Sequence, residues 1–185
     1  MGIRNTKNNF GSLAKFFHWI TVALILVMMV LGIYMHELEL SPLKFELYAF
    51  HKSLGMIVLT VVLLRLAWRK IDPPPTPIST INQKQALLAK WAHIFLYACI
   101  AGLPISGWMM ASASGTPIDM FNSGMIVPNL FSSSESILVA SKVAHEIIGN
   151  LLICLILVHS LAALKHHFCD GDNTLRRMLP WSRTR

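Results

Sequence analysis

Imidazole is the side chain best suited to hold a transition metal near neutral pH, and this sequence contains eight histidines. Two of them, His145 and His159, are 14 residues apart. At 3.6 residues per turn that interval is nearly four whole turns, so in a helix both rings share one face about 21 Å apart. His51 and Arg65 repeat the spacing. The pattern suits two metal centres stacked along a helix axis, with a cation beside one of them. The three cysteines, Cys99, Cys154 and Cys169, are scattered without a CxxC pair, so neither a zinc site nor a disulfide framework is indicated.

The elements that must carry these residues are apolar and long. Of 185 residues, 54% are hydrophobic and only 14% charged, with a mean hydropathy of +0.55. A soluble chain this small has too little interior for so much apolar surface. A bilayer core of roughly 30 Å needs about 20 apolar residues per helix, and four segments qualify, at about 13–35, 47–68, 91–113 and 138–164. The prediction is an all-α integral membrane domain over 1–185, a bundle of four transmembrane helices. The fourth segment is long enough to tilt or to extend beyond the membrane. Basic Arg4, Lys7 and Lys15 precede the first segment as in a signal peptide, but the apolar stretch 16–35 is too long and lacks a cleavage site. The connection 69–90 contains DPPPTP, which favours extended polyproline, and the loop 114–137 is polar. Pro104 should bend the third helix. Small residues at 101, 102, 106 and 107 admit close approach, read as helix packing ahead of clearance for a cofactor.

The net charge of +7 does not point to nucleic acid, because the basic residues cluster at the ends of apolar segments rather than on one face. Twelve Lys and Arg fall in the N-terminal tail, the 69–90 connection and the C-terminal region, against Lys44, Lys52 and Lys142 on the other side. This asymmetry puts both termini in the cytoplasm. His18 and His159 then lie near the cytoplasmic face, and His51 and His145 near the outer face. Ionisable side chains inside a membrane are costly and usually functional, so the expected pairs are His18 with His159 and His51 with His145. Zinc wants three or four converging ligands, whereas each level offers two imidazoles with few acids or thiols nearby. Two axial imidazoles satisfy a haem iron, and a porphyrin fills apolar space in a bundle.

His93 also lies at the cytoplasmic level. It could replace His18 or His159 as a ligand, but the favoured reading is a bond to a haem propionate or a place on a proton or quinone path. Arg65 needs an anion at the same level, for which the inner propionates are favoured over snorkelling to lipid with Arg69 and Lys70. Lys52 and Lys142 either attract an anionic partner, a propionate or a donor, or simply sit at the interface. His36, His166 and His167 read as interfacial.

Several short motifs recur in a telling order: His18-Trp19, His51 followed by Gly55, Arg65, the GLPISG of 102–107, His145-Glu146 and His159. The tail adds HHF at 166–168 and DNTLRRMLP at 172–180. Together they resemble the bacterial cytochrome b561 family of small di-haem membrane cytochromes over nearly the whole chain. The resemblance implies two b-type haems with axial ligands at His18, His51, His145 and His159. It further implies a superoxide:ubiquinone oxidoreductase of the bacterial inner membrane, oxidising superoxide on the periplasmic side and reducing ubiquinone. The loop 114–137 lies outside these motifs. Bis-histidine iron has no open position, which favours outer-sphere electron transfer. Two other functions fit the residues: a cytochrome b anchor subunit serving a partner dehydrogenase or hydrogenase, and a histidine-lined metal-ion transporter.

Overall fold

Side-chain caps mark where the second and third helices of this chain begin. The computed structural model describes residues 2–77 and 82–181. Helix α1 spans Ser12–Glu37, α2 Pro42–Ile71, α3 Gln83–Ala113 and α4 Glu135–Phe168. Ser41 caps α2 by accepting from the Lys44 amide at 3.3 Å, and Pro42 takes the first turn, where no N–H is needed. Asn82 and Gln85 form a reciprocal capping box at α3, with bonds of 2.9 and 3.1 Å. Lys165, His166 and His167 in the last turn of α4 complement its dipole. Each apolar segment read from the sequence lies inside one of these helices, but α3 starts eight residues earlier than 91. Hydropathy marks what crosses an apolar layer, whereas caps set the ends. The α3 helix also runs uninterrupted through Pro104.

All four helices are long and apolar enough to cross a membrane. Their outer faces suit lipid: Val30 is 70% exposed, and Val158 and Leu161 are each 64% exposed. Helix α1 packs on α2, α2 on α3 and α3 on α4. Among the described residues, neither α1 nor α2 packs closely along α4. The core at mid-height consists of Ile25, Val58, Val62, Leu96, Cys99, Ile100 and Leu152.

Both ends of the bundle are tied by polar contacts. The α1–α2 and α3–α4 connections lie at the loop end. There β1 (Ile118–Asp119) and β2 (Ile126–Val127) pair antiparallel around a 3-10 turn, Met120–Asn122. Two fully buried serines anchor this loop. Ser53 on α2 donates to the Ala49 carbonyl and accepts the Phe121 amide, both at 2.9 Å. Ser112 on α3 donates to the Trp108 carbonyl at 2.9 Å and accepts the Leu130 amide at 3.0 Å. The other end gathers the termini and the α2–α3 connection. Asn5 donates its amide to the Asp72 carboxylate at 2.8 Å, and Arg177 donates to the Thr76 carbonyl at 3.0 Å.

Candidate functional site

Seven residues are close to two helical turns, and the side chains of interest recur at that interval on every helix. At the terminal end these are His18, Arg65, His93 and His159; at mid-height Ile25, Val58, Ile100 and Leu152; at the loop end Gly32, His51, Gly107 and His145. The four middle residues all belong to the buried core. Two polar levels are therefore separated by one apolar belt.

At the loop end, the His51 and His145 rings face each other with centres 6.4 Å apart. Glycines on the other two helices lie against them. A Cβ at Gly32 would lie 3.7 Å from His51 Cε1, and one at Gly107 would lie 3.4 Å from His145 Cε1, both ordinary contacts. Gly107 thus borders a histidine ring, whereas Gly102 and Gly149 border apolar side chains of the facing helix. His145 Nδ1 lies 3.1 Å from the Leu103 carbonyl and 3.0 Å from Ser106 Oγ, whose own hydrogen goes to Leu103 at 2.7 Å. Because a carbonyl can only accept, Nδ1 carries the hydrogen and Nε2 keeps its lone pair, as a metal-binding histidine requires. Nδ1 of His51 is buried without a hydrogen-bond partner.

The terminal-end level is more crowded. His93 and His159 rings stand 5.4 Å apart, and His93 Nδ1 donates to the Ala89 carbonyl at 2.6 Å. His18 contacts different groups: Arg65 Nη2 donates to its Nδ1 at 2.9 Å, and Trp19 meets its ring edge-on at 5.4 Å. A guanidinium can only donate, so Nε2 of His18 carries the hydrogen in this arrangement, and Arg65 would have to release Nδ1 before His18 could bind a metal through Nε2. His18, His93 and His159 are nevertheless electrostatic neighbours. The guanidinium groups of Arg65 and Arg69 both lie over the Tyr97 ring, at 5.2 and 5.6 Å. Among the described residues no carboxylate pairs with either arginine. Arg65 is half-buried and Arg69 exposed, and a half-buried cation in a membrane without an acid calls for an anionic ligand.

The remaining candidates separate by environment. Lys52 Nζ lies 3.3 Å from Thr116 Oγ1 and lines a loop-end cavity of about 370 Å³ with Phe45, Tyr48, Asp119 and Asn122. Lys142 and His36 are exposed. His166, Asp170 and Asp172 bring possible metal ligands within 4.8 Å of one another. However, Lys165 already binds both Asp170 oxygens, at 2.8 and 2.9 Å, so this cluster is a neutralised clasp. Reading the sequence gave no site role to Tyr97, Ser106, Gly32, Trp19 or Lys15. Helical spacing from a histidine is the signal that finds two of them: Tyr97 is four residues after His93 and Gly32 14 after His18. Ser106 is found only through its contact with His145 on the facing helix.

Two imidazoles on opposite sides of one metal at about 2 Å each place their ring centres about 6 Å apart, and a bent arrangement brings them to about 5 Å. His51 and His145 meet the first condition; His93 and His159 are too close for it and nearer the second. Paired imidazoles without a neighbouring acid or thiol suit a haem iron better than zinc. Among the described residues the backbones of α4 and of the α1–α2 pair do not pack closely, and side chains such as His51 and His145 span the distance between them.

The sequence model described as Prokaryotic cytochrome b561 matches residues 9–181, which include every residue of both histidine levels. The chain belongs to that family. It is 31% identical to "Cytochrome b561 homolog 2" of Escherichia coli (strain K12), over 97% of this chain and 95% of that protein. It is 30% identical to "Cytochrome b561 homolog 1" of the same organism, over 94% and 98%. A third relative, "Probable superoxide oxidase CybB" of Yersinia pestis, is 27% identical over 90% and 93%. As a cytochrome b561, this membrane protein binds b-type haem and takes part in electron transfer.

Proposed function

We propose that this cytochrome b561 holds two b-type haems, one at each histidine level, and moves electrons from superoxide to ubiquinone. The observation that carries the proposal is the two-level arrangement: the His51–His145 pair at 6.4 Å and the His18, His93 and His159 group one apolar belt away. His51 and His145 ligate one iron, and His18 and His159 the other. His93, too close to His159 to stand across a metal from it, serves the terminal-end site as a proton carrier. Arg65, with Arg69 and Tyr97, receives the propionates there. When bound, the haems supply one-electron iron couples that need no bond to the donor.

The overall reaction balances as two superoxide ions losing one electron each to give two dioxygen molecules, while one ubiquinone takes two electrons and two protons. Superoxide is a small anion, and the Lys52 ammonium, next to His51 in sequence, lines the loop-end cavity together with the Asp119 carboxylate, so Lys52 is the one group among the described residues of that lining able to attract it. Ubiquinone reduction belongs at the terminal end, where His93 can pass protons. The Lys and Arg asymmetry supports a cytoplasmic terminal end and a periplasmic loop end in a bacterial inner-membrane protein. The name of the Yersinia pestis relative supports superoxide as donor.

Stopped-flow mixing of the purified oxidised chain with superoxide, with and without ubiquinone, tests the proposal. Rapid b-haem reduction, followed by reoxidation only when ubiquinone is present, is expected. Reduction by superoxide no faster than by spontaneous dismutation controls would refute the donor. Quinone reduction by the isolated chain would speak against a role as anchor for a larger partner.

A further inference from the structure

Beyond Phe168 the chain turns away from α4 and reaches the start of α1. Asp172 fastens the turn: its carboxylate meets His166 Nδ1 at 2.9 Å and accepts the Thr174 amide at 2.8 Å. Residues 173–179 then coil tightly, with the Arg177 amide donating to the Asn173 carbonyl at 2.9 Å and the Met178 amide to the Leu175 carbonyl at 3.0 Å. This coil aims two carbonyls at α1. Met178 accepts from Trp19 Nε1 at 2.9 Å, and Leu179 accepts from the buried ammonium of Lys15 at 2.8 Å. Arg177 ties the same coil to Thr76 and lies 6.0 Å over the Phe10 ring.

The segment joins α4 to α1, helices that among the described residues do not pack closely along each other and share the mid-height core. In lipid, helices gain no hydrophobic drive to associate, so polar links set their spacing. Trp19 is also the residue whose indole stands edge-on against His18, at 5.4 Å and 83°, while Arg65 holds the other side of that ring. Ligand geometry must be kept to within about 0.5 Å for a metal site to work. We infer that the C-terminal hook, residues 169–180, positions His18 through Trp19 and Lys15, setting the α1-to-α4 separation at the terminal-end haem. The inference rests on the reading above that His18 and His159 ligate that haem.

Trp19→Phe keeps the ring but loses the N–H; Lys15→Met loses the ammonium, and Lys15→Arg keeps a donor. The full-length variants, purified in nanodiscs, are to be compared by haem content, redox titration and low-spin electron paramagnetic resonance. His145→Ala identifies which signals belong to the loop-end haem. Trp19→Phe and Lys15→Met should shift the potential and the resonance of the terminal-end haem alone and speed its loss several-fold, and Lys15→Arg should behave as wild type. A chain truncated after Phe168 should show the same defect and recover when a peptide of residues 169–181 is added. An unchanged terminal-end haem in all variants would overturn the inference, as would equal disturbance of both haems. A wild-type chain without two haems would instead overturn the two-haem reading and the inference with it.

Discussion

At the scale of single residues, the loop-end site is organised around one hydrogen. His145 Nδ1–H is shared between Leu103 and Ser106, which frees Nε2 toward His51. Ser106→Ala leaves only the Leu103 carbonyl, and loss of such an orienting partner costs about 10-fold in metal-site affinity. A haem-transfer assay to apomyoglobin should show that loss at one haem only. Gly107 offers a sharper contrast. A Cβ there lies 3.4 Å from the ring, an ordinary contact, so Gly107→Ala should retain the loop-end haem. Gly107→Val pushes branched methyl groups into the imidazole and should abolish that haem, as read from the haem-to-protein ratio. His145→Ala and His159→Ala should each remove a different haem; loss of the same one in both would refute the stacked arrangement.

The elements matter because the intervals between residues are read out by helices. His51, His145, His159 and Arg65 were legible from spacing alone, since seven residues return a side chain to nearly the same face. The partner of each histidine was less legible. Whether His18 or His93 stands across from His159 depends on helix rotation, which no interval within one helix reports. The middle belt is equally hidden in a sequence that is apolar throughout. Leu152 is 1% exposed and Leu161 64% exposed, although both are leucines of α4. Leu152→Ala should lower the thermal midpoint by several degrees through the cavity it leaves, while Leu161→Ala should change it little. Differential scanning fluorimetry of the purified chain separates the two. The loop 114–137 was read only as polar, yet it contains a hairpin seated on Ser53. One buried hydroxyl on a facing helix decides that, and nothing in the loop itself announces it.

For the whole molecule, the question is what holds four helices at a fixed separation when lipid surrounds them. Polar knots do this at both ends. The terminal-end knot depends on a carboxylate. Burial alone would push the Asp172 acid up, but the Thr174 amide hydrogen bond and nearby His166 hold its pKa below the ordinary carboxylate value. A lowered folded-state pKa contributes stability that is present above the unfolded value of about 3.9 and is lost as pH falls through the folded one. The hook should therefore stay docked from pH 8 down to about 5 and release only in stronger acid. Fluorine NMR of fluorotryptophan at position 19 reads this docking. Asp172→Asn should weaken it across the whole range and remove the acid transition.

Composition, hydropathy and interval determined the architecture of this protein. Four apolar stretches of sufficient length have no other stable home than a bilayer, and helical periodicity places histidines at two heights. Tertiary structure decided everything that depends on one helix facing another. It set His93 against His159, put glycines opposite His51 and His145, and stacked two guanidinium groups on Tyr97. It also brought the C-terminal hook to Trp19, 159 residues away in sequence. The reason is physical: periodicity fixes angles within a helix, but the rotation and spacing between helices come from packing and from hydrogen bonds that link distant segments.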